Sequence, residues 1–165
     1  MKLAITHAAP ADAASIAAVE AACFPLAEAA SEEQFAARVA AFPNCFWLAR
    51  VNDQVIAFID GMTSGRRDLT DDMFADPALH DPEGAWLMIF GVATLPEYQG
   101  RGVASALMKR VLDDCATRGM QGAVLTCKPH MVPFYARFGF ADEGLCNSQH
   151  GGAQWHQMRV RYADQ

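Results

Sequence analysis

The 165-residue sequence predicts one mixed α/β domain, and three observations support this prediction. First, apolar runs with the length or period of strands alternate with segments of helical period. Second, a hydrophobic content of 52% over this length is enough to build one core. Third, no repeat, low-complexity tract or linker divides the chain. We therefore expect a single domain over residues 1–165.

The N-terminal part is expected to begin with a short strand at residues 2–6 and a helix over residues 11–24. Pro25 ends this helix and opens a short loop. Ser31 and Gln34, three residues apart, form a capping box that predicts the start of a second helix. The apolar face of the second helix is formed by Phe35, Val39 and Phe42.

The middle of the chain is expected to form most of the sheet. Residues 45–51 and 54–64 are β-rich, and Asn52-Asp53 between them predicts a hairpin. Residues 64–84 are polar, acidic and rich in turn formers, and a loop of this length is usually functional or disordered. The almost wholly apolar residues 85–94 predict a strand buried in the middle of a sheet.

The C-terminal part alternates between helices and strands. Residues 103–111 predict an amphipathic helix, and residues 122–127 predict a second buried strand. Residues 130–140 predict a short helix that ends at Gly139. The tail suits a final hairpin around Gly151-Gly152.

Composition and charge exclude several classes of protein. A net charge of −6 and a pI near 5.2 argue against a nucleic-acid-binding surface, which needs a basic face. No segment approaches the roughly 18 apolar residues of a membrane helix, and the N-terminus does not resemble a signal peptide. The five cysteines are scattered without a C-x-x-C pair, which favours the reducing cytoplasm and predicts no metal site. We expect a cytoplasmic monomer or homodimer without nucleic-acid or membrane partners.

Two glycines flank one arginine between the buried strand and the amphipathic helix, as Gly100-Arg101-Gly102. A turn that leads into a helix exposes the N–H groups of the first helical turn and the positive end of the helix dipole, which suits an anion. The motifs G-x-x-x-x-G-K-[ST] and G-x-G-x-x-G do not fit. The pattern Q-x-x-G-x-A fits, with Gln99, Gly102 and Ala104. The alternative is a tight connection in which the glycines only relieve a positive φ.

The whole arrangement resembles the GNAT superfamily of acyl-CoA N-acyltransferases, from residue 24 to the end of the chain. Three stretches are most similar to the arylalkylamine N-acetyltransferases and their microbial relatives: residues 24–31, residues 55–61 followed by 68–84, and above all residues 123–140. The resemblance implies a central mixed, mostly antiparallel sheet flanked by helices. It also implies acetyl-CoA as cosubstrate and direct acetyl transfer to a small-molecule primary amine.

The resemblance implies roles for individual residues. The strand before the loop pairs with the pantetheine arm of acetyl-CoA, a role that falls here on Val92, Ala93 and Thr94. The pyrophosphate-binding positions are Gln99, Gly100, Arg101, Gly102, Val103, Ala104 and Ser105. Tyr135 matches a tyrosine near the thioester sulfur, and its phenol can protonate the departing CoA thiolate. The alternative for Tyr135 is a packing aromatic.

The acceptor amine raises a separate problem, because an alkylamine with a pKa of about 10.4 is almost entirely protonated at pH 7. The vertebrate arylalkylamine enzymes carry two histidines on the strand before the loop, and the matching positions here hold Met88 and Phe90. Glu28 is the replacement candidate for the base, because related enzymes place an acidic residue in this loop. A solvated surface carboxylate is its alternative. His130 and Asp60 are reserve candidates.

Two other functions stay open at this point. One keeps the fold and changes the acceptor to a polyamine or to a protein or peptide amine, and the acidic residues 68–83 are compatible with it. The other is a non-catalytic, regulatory CoA-binding module. The loss of both family histidines favours the module, and the presence of Tyr135 argues against it.

Overall fold

The structure, a computed structural model, describes residues 1–146 and 152–162. The α-helices are α1 (Ala13–Cys23), α2 (Glu32–Ala41), α3 (Asp71–Ala75), α4 (Val103–Thr117) and α5 (Val132–Ala136). The strands are β1 (Ala4–Thr6), β2 (Phe46–Val51), β3 (Gln54–Ser64), β4 (Trp86–Thr94), β5 (Gly122–Cys127), β6 (Ala141–Leu145) and β7 (His156–Arg161). Short 3₁₀ turns lie at Pro10–Asp12, Pro43–Cys45, Pro77–Leu79, Pro96–Tyr98 and Pro129–Met131.

The strands form one seven-stranded sheet in the order β1-β2-β3-β4-β5-β7-β6. β4 and β5 run parallel to each other. The other registers that the structure describes are antiparallel: β1 with β2, β2 with β3, β5 with β7 and β6 with β7. The predicted mixed, mostly antiparallel sheet flanked by helices is therefore confirmed.

The chain forms two compact units, and the first contains Met1–Gly61 and Gly91–Val111. Here α1 and α2 pack against each other, and Phe35 of α2 is fully buried. Its ring makes edge-to-face contacts with Phe46 and Phe58, at centroid distances of 6.4 and 5.6 Å. Such pairs add to the stabilisation from burial alone. The expectation of one domain over residues 1–165 stays a prediction.

Two local signals in the first unit act as predicted. At the start of α2, Ser31 Oγ accepts the N–H of Gln34 at 3.2 Å, and Gln34 Oε1 accepts the N–H of Ser31 at 2.8 Å. Two backbone donors are thereby satisfied reciprocally. Asn52 and Asp53 have φ values of 51° and 65°, as the turn of a two-residue hairpin requires.

The second unit contains Met62–Phe90 and Leu112–Gln165. The parallel register of β4 with β5 begins with Trp86 opposite Gly122 and ends with Ile89 opposite Leu125. β6 and β7 form the predicted antiparallel hairpin. Its turn was expected around Gly151-Gly152, and of these two residues Gly151 lies outside the described part of the chain.

Residues 64–84 were expected to form a long loop that is functional or disordered. In the structure they contain ordered secondary structure. They contain α3 and a 3₁₀ turn. Near their start, Arg159 of β7 binds the carboxylate of Asp68. Near their end, the hydroxyl of Thr63 donates to the carbonyl of Asp81 at 2.6 Å. The segment is thus tied at both ends, because charge-assisted and short hydrogen bonds are among the stronger polar contacts.

Candidate active site

The end of β4 is hydrogen-bonded to β3. The backbone of Gly91 donates to the carboxylate of Asp60, and the N–H of Leu95 donates to the carbonyl of Ile56 at 2.9 Å. Asp60 and Ile56 both belong to β3. Since the N–H of Leu95 points at the backbone of β3, the N–H of Ala93 two residues earlier also points toward β3, because backbone groups alternate sides along a strand.

This alternation separates the three residues that the sequence grouped as the pantetheine-binding strand. The N–H groups of Val92 and Thr94 point away from β3, whereas that of Ala93 points toward it. The register with β5 has already ended at Ile89. Val92 and Thr94 therefore have the backbone geometry for pairing with an extended ligand, and Ala93 does not.

The turn after β4 is fixed by side chains from two elements. The carbonyl of Thr94 accepts Nε2 of Gln99 at 3.0 Å and Sγ of Cys23 at 3.1 Å. The N–H of Gln99 donates to the carbonyl of Pro96 at 3.3 Å. Gln99, predicted to bind pyrophosphate, thus uses its side-chain amide and its backbone N–H to hold the turn.

Gly100 and Gly102 have φ values of 76° and 80°. The backbone at both positions is therefore in the region that favours glycine, and relief of a positive φ explains both residues. A Cβ at either position would have no protein atom within 4 Å. The space beside the main chain is open, as close approach by a ligand would require, and the ligand-binding role stays a prediction.

The start of α4 offers donors to an anion. The first hydrogen bond of the helix runs from the N–H of Ala106 to the carbonyl of Gly102 at 3.0 Å. The N–H groups that therefore lack an acceptor inside the helix are those of Val103, Ala104 and Ser105. Arg101 is exposed beside them, with its guanidinium carbon 5.4 Å from the ring centre of Tyr98. N–H donors, helix dipole and guanidinium together suit a phosphate group.

Tyr135 lies on α5 in the second unit and is 6% exposed. Its ring packs edge to face against Phe134 and Phe140, at centroid distances of 5.1 and 6.1 Å. Burial raises the pKa of the phenol above its ordinary value, and the neighbouring Cys127 raises it further. The hydroxyl therefore carries its proton at neutral pH, as a proton donor must. Its role as the catalytic acid stays a prediction.

Met88 and Phe90, which stand where the vertebrate arylalkylamine enzymes have histidines, are packed as apolar side chains. Met88 is fully buried, and the ring of Phe90 packs on that of Phe74 with the centroids 4.6 Å apart. Neither Met88 nor Phe90 can accept a proton. Neither position therefore supplies a base for the acceptor amine.

Glu28 and His130, two of the sequence candidates for this base, lie in separate surface segments. Glu28 is half-buried in the loop between α1 and α2, where its N–H donates to the carbonyl of Pro25 at 2.8 Å. His130 is exposed in the 3₁₀ turn Pro129–Met131. The assignment of Glu28 stays a prediction.

Asp60, the other reserve, belongs to a buried cluster in the first unit. Its carboxylate pairs with Nη1 of Arg38 at 3.1 Å. Glu20 of α1 is 7% exposed, and its Oε2 accepts the N–H of Ala30 at 2.8 Å. A Cβ at Gly91 would lie 3.1 Å from Asp60 Oδ1 and 3.6 Å from Glu20 Oε1. Both carboxyl groups therefore face the backbone of β4 at Gly91.

Burial brings the pKa values of the two carboxyl groups in this cluster close to neutral pH. Burial raises the pKa of Glu20 to about 7, with a smaller increase from Asp60, while Ala30 and Arg38 lower it. Burial also raises the pKa of Asp60 to about 6, although Arg38 lowers it. A carboxyl group with a pKa near 7 can exchange a proton at physiological pH, and such groups concentrate at functional sites.

Sequence reasoning missed Glu20, although a signal was present. Glu20 lies four residues after Ile16 and three before Cys23, on the apolar face of α1. A carboxylate on the buried face of a helix needs a compensating partner. Its spacing was therefore a reason to consider it as a site residue.

The described residues contain no metal-binding group of side chains, no disulfide and no membrane-spanning helix. Within residues 1–146 and 152–162, no group of three or more His, Cys, Asp or Glu side chains could hold a metal ion. The five cysteines are all free. No helix in this part of the chain is long and apolar enough to span a membrane.

Comparison with known proteins finds relatives by sequence and by fold. Serotonin N-acetyltransferase of Mesocricetus auratus is 31% identical over 94 residues, which are 56% of this chain and 44% of that protein. This chain thus spans less than half the length of that curated relative. The loading GNATL domain of CurA from Lyngbya majuscula superposes with a TM-score of 0.85 at 16% identity, over 98% of both chains.

Naa50 of Arabidopsis thaliana, solved with the bisubstrate analogue CoA-Ac-MVNAL, has a TM-score of 0.76 at 18% identity. The similarity covers 98% of this chain and 100% of that one. At these identities the two structural matches establish the fold.

The family match extends over most of the described features. It covers residues 13–140, more than three quarters of the chain. This range includes β4, the turn at Gly100–Gly102, the start of α4 and Tyr135. The chain therefore belongs to the acetyltransferase (GNAT) family.

Proposed function

We propose that this chain is an acetyl-CoA-dependent N-acetyltransferase that transfers the acetyl group directly to a primary amine. The observation that carries the proposal is the backbone of β4, where the N–H groups of Val92 and Thr94 point away from β3 after the register with β5 has ended at Ile89. Membership of the acetyltransferase (GNAT) family supports it.

The cosubstrate is proposed to bind through main-chain groups. The pantetheine arm pairs with the N–H groups of Val92 and Thr94. The pyrophosphate binds the first-turn N–H groups of α4 and the guanidinium of Arg101. The main-chain donors are held in place by the fold before the ligand binds, so binding costs little conformational entropy.

The acetyl group is proposed to pass directly from acetyl-CoA to the amine, without an acetyl-enzyme intermediate. The amine nitrogen attacks the thioester carbonyl, and a backbone N–H of β4 stabilises the oxyanion. Tyr135 donates its proton to the sulfur of CoA as the C–S bond breaks. Glu28 is the candidate from the sequence for the group that takes the proton of the amine. No cysteine forms a covalent intermediate.

The proposed acceptor is an arylalkylamine, and the partial match to serotonin N-acetyltransferase supports this class. A polyamine or a peptide amine is the alternative, supported by the likeness to Naa50 bound to a peptide-containing analogue. The alternative of another class is a non-catalytic CoA-binding module, which the apolar Met88 and Phe90 favour.

We propose the cytoplasm as the compartment, because five free cysteines suit a reducing environment. The acidic net charge of −6 supports the absence of nucleic-acid partners. A monomer or a homodimer without membrane partners completes the proposal.

The test of this function is the release of free CoA thiol from acetyl-CoA in the presence of amines. We expect release that depends on an arylalkylamine and that matches the amount of N-acetylated product. Faster release with a polyamine or an N-terminal peptide would move the acceptor to the alternative class. Binding of acetyl-CoA without amine-dependent release from any acceptor would support the non-catalytic module.

A second prediction concerns the pyrophosphate site. Gly102→Asn should lower the affinity for acetyl-CoA by about 10-fold or more, because the new side chain fills the open space beside the first turn of α4. Asparagine is used because it tolerates a positive φ better than other side chains. Isothermal titration calorimetry gives the affinity.

Gly119→Asn is the matched control. Gly119 has a φ of 76°, and a Cβ there would also have no atom within 4 Å, but it follows the other end of α4. Both variants therefore carry a similar backbone strain. Equal affinities for acetyl-CoA in the two variants would contradict the site.

A third prediction concerns Tyr135. Tyr135→Phe removes one oxygen, so the affinity for acetyl-CoA should hardly change, whereas kcat should fall by roughly 10- to 1,000-fold because the positioned acid is lost. Since the pKa of this phenol is raised, the proton remains in place as pH rises through the ordinary tyrosine value of about 10. Any alkaline decrease of kcat caused by its ionisation should therefore lie above that value.

Tyr162→Phe makes the same chemical change at a hydroxyl that donates to the carbonyl of Leu112 at 2.7 Å. This control should lose about 1 kcal/mol of stability and keep its kcat. If Tyr135→Phe behaves like Tyr162→Phe in the kinetics, Tyr135 is a packing residue.

A further inference from the structure

Glu20 and Glu28 are both close to the loop between α1 and α2, but only Glu28 is part of that loop. Glu20 is on α1, and its Oε2 accepts the N–H of Ala30 at the end of that loop. The carboxyl group of Glu20 thus fixes the loop and stays in contact with it.

The second carboxyl oxygen of Glu20, Oε1, faces strand β4. Glu20 Oε1 lies 3.6 Å from the place that a Cβ of residue 91 would occupy. Because residue 91 is glycine, no side chain separates this oxygen from the backbone of β4. The next residue, Val92, has an N–H that points away from β3 and is proposed to pair with the pantetheine arm. Glu20 Oε1 therefore lies beside the residue that directly precedes the proposed cosubstrate-binding positions.

We propose that Glu20 takes up the proton that an alkylammonium acceptor must lose before it attacks the thioester. This inference rests on the proposed function and assigns to it a residue that the sequence did not single out. One N–H bond of the ammonium group breaks and an O–H bond forms on Glu20. The neutral amine then attacks, the C–S bond breaks, and Tyr135 gives its proton to the departing sulfur. The second proton of the attacking nitrogen passes through solvent water to the Tyr135 phenolate, and Glu20 returns its proton to solvent.

The groups around Glu20 suit this exchange. Asp60 of β3 disfavours the ionised form of Glu20, whereas Arg38 of α2 and the N–H of Ala30 favour it. On the same helix, burial raises the pKa of Cys23, the hydrogen bond to Thr94 lowers it, and Glu20 raises it further, so this thiol stays neutral. With its pKa raised to about 7, the Glu20 carboxylate is a stronger base than an ordinary glutamate and is still ionised in a large fraction of molecules at pH 7.

The test compares two acceptors in the Glu20→Gln variant. An arylalkylamine is an ammonium ion at pH 7, whereas an aromatic amine of the aniline type is already neutral and needs no base. With the arylalkylamine, kcat/KM at pH 7 should fall by about 10²-fold or more, within the usual range for the loss of a general base. With the neutral aromatic amine it should fall by less than about 3-fold.

The pH profile gives a second readout. In the wild type, kcat/KM for the arylalkylamine should rise as pH passes about 7, where Glu20 ionises. In Glu20→Gln this rise should move toward the pKa of the amine, because only amine that is already neutral can react. The Gln side chain still offers an oxygen to the N–H of Ala30, so the affinity for acetyl-CoA and the melting temperature should be retained.

Two further variants complete the experiment. Glu33→Gln removes an exposed carboxylate from the first turn of α2 and should leave both acceptors unaffected. Glu28→Gln tests the candidate from the sequence. A loss confined to the arylalkylamine in Glu28→Gln, and absent in Glu20→Gln, would overturn the inference and assign the base to Glu28.

An equal loss with both acceptors in Glu20→Gln, or no loss with either, would also overturn the role of Glu20. The first result would make it a structural residue, and the second would leave it without a part in the reaction. The wild type then still acetylates amines, so the proposed function stands. A wild type that acetylates neither acceptor would overturn the function and the inference together.

Discussion

Beyond Ile89, the backbone of β4 no longer follows the register of β5 and is bonded to β3. The end of this register is the constraint on which the proposed site depends. A buried backbone N–H needs an acceptor, and a strand that has lost one neighbour offers its outward groups to a ligand. Val92 and Thr94 follow closely after Gly91, so the proposed ligand-binding edge and the acidic cluster lie on the same short stretch of strand.

The acidic cluster follows from that same stretch. Gly91 leaves room beside β4, and Asp60 and Glu20 approach it from β3 and α1. Burial of the two carboxyl groups opposes their ionisation whereas Arg38 favours it, and a buried ion pair of this kind is weak support for stability. A proton-exchanging role gives the arrangement a function that packing alone does not.

Much of the local structure could be predicted because its causes lie within a few residues. The capping box of Ser31 and Gln34 and the hairpin at Asn52-Asp53 are both of this kind. The last helix was expected to end at Gly139, but α5 ends at Ala136 and a turn leads on to the glycine. The resemblance to a known family supplied the mixed sheet, and with it the candidate residues of the loop and Tyr135.

The features that could not be predicted depend on contacts between distant residues. The insertion of β7 between β5 and β6 is a matter of strand order, which periodicity does not encode. Residues 64–84 have a defined path because Arg159, far along the chain, binds Asp68. Glu20 meets Gly91 only after α1 has packed on the sheet, and the side of β4 to which Ala93 belongs is set by the hydrogen bond from Leu95 to Ile56.

The central claim is that acetyl-CoA pairs with the outward edge of β4. Amide hydrogen exchange, followed by NMR for single residues with and without acetyl-CoA, tests it most directly. The account predicts that exchange at Val92 and Thr94 slows on binding, while Ala93, which faces β3, changes little. Saturating acetyl-CoA that leaves exchange at Val92 and Thr94 unchanged would contradict the account.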